Sequence, residues 1–95
     1  KGHRMKLVYN LLVKTARDRM VFERQEDHPE IIPQQGWKIE IGGMYLSHVE
    51  ETVLKVGEGV VEISLFPLDF SDPSEAQDAR RFIESIIAEG WVKAY

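Results

Sequence analysis

One helix, marked at both ends, closes a chain otherwise written in strand-like alternation, and that order limits the folds open to it. Asp72-Pro73-Ser74-Glu75 joins an N-cap aspartate, a proline at the first helical position and a glutamate at N3. Ala76, Ala79, Phe82, Ile83, Ile86 and Ile87 follow as one apolar stripe at spacings of three and four. Gln77, Asp78, Arg81, Glu84 and Ser85 take the opposite side. Gly90 is placed to end the helix in left-handed geometry, with Trp91 folding back near Ile86 in a Schellman-type cap. The last residues, WVKAY, add a short strand or pack their two aromatics.

The strands come before it. KLVYNLLVKT, residues 6–15, sets Leu7, Tyr9, Leu11 and Val13 on one face and Val8, Asn10 and Leu12 on the other. A helix is the rival reading for this run, but its β-branched and aromatic content and the turn-like ARD after it favour a strand. RMVFERQ reads as the second strand, with Met20 and Phe22 inward and Val21 and Glu23 outward. EDHPEIIPQQG is a connector in which Pro29 and Pro33 push His28 and Ile32 into extended geometry, while Ile31 and Ile32 pin it to the core. Trp37, Ile39 and Ile41 form a half-buried strand ending in Gly42-Gly43, a pair suited to a two-residue type I′ turn. The return strand, from Met44 to about Val56, shifts apolar phase as one inserted residue would shift it, so a bulge is expected. GEG turns the chain again, and VVEISLF is the fifth strand, with Val61, Ile63 and Leu65 inward.

This order predicts an α+β fold. Five strands, or six with the C-terminal residues, form a mostly antiparallel curved sheet or partly open barrel with one amphipathic helix packed on it. Residues 5–95 make a single domain, since 95 residues cannot bury a second core. KGHR, residues 1–4, reads as an expression scar before Met5. One helix covers one face only. Val8, Leu12, Val60 and Phe66, with Tyr45 beside them, are left for the other face, which either curls into a barrel or is covered by a partner. Each such side chain is worth roughly 1.5–3 kcal/mol when fully buried.

Bulk properties narrow the function. A hydrophobic share of 43% with 29% charged residues is that of a globular chain. The net charge of −4 argues against a nucleic-acid binder, which needs a concentrated basic footprint. The absence of cysteine excludes disulfides and thiolate ligands and fits a cytoplasmic setting. No apolar run reaches the roughly 18 residues of a membrane span.

Reactive constellations are poor. His48 and Glu50 share a face of an ideal strand, yet no metal-binding spacing completes them, and a solvated strand face explains them better. Ser47 and His48 are neighbours and point to opposite faces, so they cannot form a nucleophile–base pair. Glu23, Glu40, Glu50, Glu51 and Glu62 read as a salt-laced outer face with Lys38, Arg24 and Lys55. VGEGVV lacks the third glycine, the lysine and the helix of a phosphate loop. Trp37 and Trp91 read as core residues. Arg17, Arg19 and Arg24 gather near one hairpin end and can meet an acidic partner or RNA, although Asp18, Glu23, Glu26 and Asp27 dilute that basic field.

The reading is therefore a non-catalytic protein-interaction or accessory domain that binds another protein, or itself as a homodimer, through a sheet face or edge. Its candidate binding residues are Val8, Leu12, Arg17, Arg19, Arg24, Tyr45, His48 and Glu50; no cofactor and no metal are expected. Small acidic accessory proteins of bacteria and their phages share this size and charge, an analogy of bulk properties. The alternative is a small enzyme or ligand-binding domain with a pocket between helix and sheet, lined by Tyr9, Tyr45, His48 and Glu50.

Overall fold

The alternation along β1 (Lys6–Thr15) sorts the sheet into two faces. Leu7, Tyr9, Leu11 and Val13 are buried on one side and enter the core, whereas Val8, Asn10 and Leu12 turn the other way. The protein is represented here by a computed structural model that describes residues 5–95. The expected expression scar at residues 1–4 lies outside the described residues. β2 (Arg19–Asp27) returns antiparallel beside β1, Leu11 facing Phe22 and Tyr9 facing Arg24. Their loop is closed by the Thr15 hydroxyl, which accepts from the backbone of Arg17 and Asp18.

β3 (Lys38–Ile41) and β4 (Tyr45–Lys55) form the second hairpin, and β5 (Val60–Leu65) pairs antiparallel with β4. β6 (Leu68–Phe70), α1 (Ala76–Ala88) and β7 (Val92–Lys93) complete the chain. The strands follow the order β3-β4-β5-β1-β2-β7, with β6 also paired to β1. The sheet curls into a half-barrel, and α1 lies on its concave face.

Two expectations need correction. The sheet is mixed, because β5 and β6 both run parallel to β1, and it has seven strands where five or six were expected. The physical reason is parity: β2, the connector, β3 and β4 act as one long crossover, so β5 comes alongside β1 in the same direction. Pro67 then interrupts the strand, and three further residues pair with the far end of β1. Curling buries the concave set most fully, and of the four apolar residues left for the other face only Val8 is also buried. Val8, Leu12, Val60 and Phe66 remain on the convex side, where polar residues separate them. Gln25, Val8, Glu62 and Val53 make one cross-strand row, and Glu23, Asn10, Ser64 and Glu51 the next.

Smaller departures follow from backbone geometry. The β3–β4 loop has three residues, Gly42 to Met44, since Ile41 pairs with Tyr45. The bulge is present, and it falls at the register shift between Val49 and Glu51, ahead of Val53. Tyr45 consequently faces the concave side, edge-on to Phe70 and Phe82 at ring separations of 5.5 and 5.0 Å. His28 takes a positive φ of 57° where extended geometry was expected. Ile32 packs on the core, but Ile31 is exposed.

α1 follows its sequence marks closely. Asp72 accepts from the backbone N–H and hydroxyl of Ser74, both at 3.0 Å, and holds a 3₁₀ turn over Pro73–Glu75 that leads into the helix. Those two donors hold the Asp72 carboxyl below the usual aspartate range. Ala79, Phe82 and Ile86 are buried; Ile87, at the edge of the stripe, is exposed. At the other end the N–H of Trp91 donates to Ile86 and that of Gly90 to Ile87, the two bonds of a Schellman cap around a glycine at φ 101°. No helix among the described residues is long and apolar enough to cross a membrane.

Candidate binding groove

α1 fills only part of the concave face. At its C-terminal end Glu89 joins both walls of the half-barrel: its backbone oxygen accepts from Arg24 Nε on β2 at 3.1 Å, and its carboxylate accepts from the Gly42 N–H of the β3–β4 loop at 3.2 Å. Beyond this tie the walls are separate, and a groove opens between β2 and β3. Two adjoining hollows compose it. One of about 380 Å³ is lined by Tyr9, Arg24, Ile39, Glu40, Glu89 and Trp91. The other, about 510 Å³, runs from Tyr9 and Ile39 past Glu26 and Trp37 to the connector at His28, Glu30, Ile31 and Pro33.

Each residue reaches the groove by strand period. Arg24 and Glu26 on β2 stand opposite Tyr9 and Leu7 of β1, so their side chains share the concave face. Trp37 and Ile39 precede Ile41 at spacings of two on β3. The Schellman cap turns Trp91 back over Tyr9, with ring centroids 6.2 Å apart. Burial pushes the Tyr9 phenol above its usual 10.0; the Glu26 carboxylate adds to this, and the Arg24 guanidinium works against it. Trp37, expected in the core, is 46% exposed because no helix reaches that part of the face.

Two strand edges border this groove. Val21 exchanges backbone bonds with Ala94 and Tyr95, which turns the N–H and C=O groups of odd-numbered β2 residues outward. β7 covers that edge only at Phe22 and Glu23, so Gln25 and Asp27 lie beyond it. On the other wall Val49 donates to Trp37, directing Trp37 and Ile39 toward β4 and leaving the backbone groups of Lys38 and Glu40 on the open side.

The residues singled out from sequence do not gather. Arg24 lines the groove, while Arg17 and Arg19 are exposed at the β1–β2 loop, and Arg19 follows the convex register of Leu12. Val8 and Leu12 lie on the convex face. Tyr45 belongs to the aromatic cluster under α1. His48 is exposed, opposite Lys38 and edge-on to Phe66 at 6.1 Å, and Glu50 sits at the bulge. Tyr9, Tyr45, His48 and Glu50 therefore surround no common pocket. Ser47 is buried and donates to the Phe66 carbonyl at 2.7 Å, facing away from His48. Among the described residues no three histidines or carboxylates converge as a metal site would need.

Sequence reading missed Glu26, Trp37, Ile39 and Glu89 as groove residues. Their face was legible from period two; the reach of the helix over that face was not. Compared with protein-family models, curated proteins and solved structures, the chain gives no match.

Proposed function

We propose that the protein is a non-catalytic interaction domain that takes an extended polypeptide segment into the groove between β2 and β3. One observation carries this reading: the unpaired edges at Gln25 and Asp27 and at Lys38 and Glu40 flank a single groove with Tyr9 at its floor. An added strand finds main-chain partners on a wall and pockets for alternate side chains at Trp37, Ile39 and Tyr9, the pattern of β-strand addition. The groove has carboxylates and one buried phenol, but no nucleophile paired with a base.

The test is to capture a partner from the native host and follow amide hydrogen exchange in the purified complex. Protection gained at Gln25, Asp27, Lys38 or Glu40 is expected. Protection confined to the convex rows around Val8 and Leu12, or to the Arg17–Arg19 loop, would overturn the proposal. Glu40→Pro removes an outward N–H without breaking the β3–β4 ladder, so the variant should fold and lose partner binding.

A further inference from the structure

We infer that the groove selects a basic segment, one that sets a lysine or arginine side chain against Tyr9 and Trp91 among the surrounding carboxylates. This rests on the strand-addition reading and adds the chemistry of the occupant. Glu26, Glu30, Glu40 and Glu89 line the two hollows, against Arg24 and His28. Arg24 donates to the Glu89 backbone carbonyl and keeps its charge, so it offsets one of these carboxylates and leaves the groove net acidic. The one ion pair among the described residues is Lys55–Glu62, on the convex face, so Glu26 and Glu30 carry their charge into the groove with no ion-pair partner among those residues, while the Glu40 side chain alternates outward between Ile39 and Ile41 at the rim. A glutamate-bearing segment would meet these two at close range, and a lysine-bearing segment would neutralise them.

The aromatic residues point the same way. Tyr9 and Trp91 sit side by side at the inner end, and half-exposed Trp37 stands across from Glu26. Ring faces attract a cation, and neighbouring carboxylates strengthen that attraction where water is partly excluded. Ile31 and Ile39 offer apolar contact to the aliphatic stem of the same side chain. The hollow beside the β4 bulge, about 700 Å³ and lined by Gln34, Gln35, Glu50, Glu51, Thr52 and Phe66, has two carboxylates but no tyrosine or tryptophan ring.

The experiment uses two short capped peptides, one alternating valine with lysine and one alternating valine with glutamate, titrated into isotope-labelled protein and followed by amide and indole NMR. The lysine peptide should shift the amides of Gln25, Asp27, Lys38 and Glu40 and the indoles of Trp37 and Trp91. It should bind about tenfold or more tightly than the glutamate peptide at low salt, with the gap narrowing as salt is added. Glu26→Gln with Glu30→Gln should remove most of that preference while leaving the spectrum of a folded protein. Equal or tighter binding of the glutamate peptide at the same amides would overturn the basic-segment inference and leave strand addition standing. No shift at either edge with either peptide would overturn both.

Discussion

The concave face has a closed half and an open half, built from the same strands and separated by Glu89. Under α1, Tyr45, Phe70 and Phe82 pack ring against ring and Gly42 approaches Phe82 closely. Between β2 and β3, Tyr9 and Ile39 have the same inward register but no helix above them, and Trp37 stands half in solvent. The contrast separates two demands on one sheet. A helix of thirteen residues can satisfy the apolar surface at one end, and the other end keeps unpaired strand edges and charged walls. Such edges invite pairing with another chain, so their placement beside a groove carries functional weight.

The largest expected effect tests whether the halves differ in stability. Phe82→Ala should cost about 3–5 kcal/mol, since it empties the centre of the aromatic cluster. Trp37→Ala should cost about 1 kcal/mol or less despite the greater volume removed, because the indole is half exposed. Urea unfolding of both variants measures the gap; equal losses would show that the open half is as much core as the closed one.

The next effect concerns the loop at the boundary. Gly42 and Gly43 both have positive φ, 67° and 78°, so alanine at either brings backbone strain of about 1–2 kcal/mol. A Cβ on Gly42 would also lie 3.1 Å from the Phe82 ring, whereas one on Gly43 meets nothing within 4 Å. Gly42→Ala should therefore be worse than Gly43→Ala by about 1 kcal/mol or more. A reversed order would place the loop differently over the helix. Glu89→Ala is milder, roughly 0.5–1.5 kcal/mol for the lost bond to Gly42, and should speed amide exchange at Gly42 while sparing that of Leu11.

These contrasts explain what the sequence could disclose. Alternation at Leu7, Tyr9, Leu11 and Val13, and again at Val61, Ile63 and Leu65, reveals which face each side chain takes. Asp72, Gly90 and Trp91 mark the helix because caps are local. Parallel pairing of β1 with β5 has no local mark, for it depends on the net direction of everything between them. β6 is three residues long and follows a proline, so no periodicity announces it. The groove was illegible for a related reason. Period two places Tyr9, Trp37 and Ile39 inward, but only the length and angle of α1 decide which inward residues stay uncovered. Glu26 reads as the first residue of the connector; β2 continues through Asp27, and the register opposite Leu7 puts Glu26 on the concave wall.

The smallest effect reports on the open half directly. Tyr9 holds its proton more tightly in the folded chain than in the unfolded one, through burial first and the Glu26 carboxylate second. Its contribution to stability is therefore complete below the usual tyrosine value of 10.0 and is lost as pH rises from there through the folded value. The stability difference between the native protein and Tyr9→Phe should stay flat at neutral pH and shrink in that alkaline window. Glu26→Gln should lower the phenol and move the window down, whereas Arg24→Gln should raise it. An arginine-bearing peptide in the groove keeps its positive charge through this window and should lower the phenol as Arg24 does, so ultraviolet titration with and without that peptide reads occupancy at the groove floor. An unchanged titration would place the bound peptide away from Tyr9, even if its affinity were high.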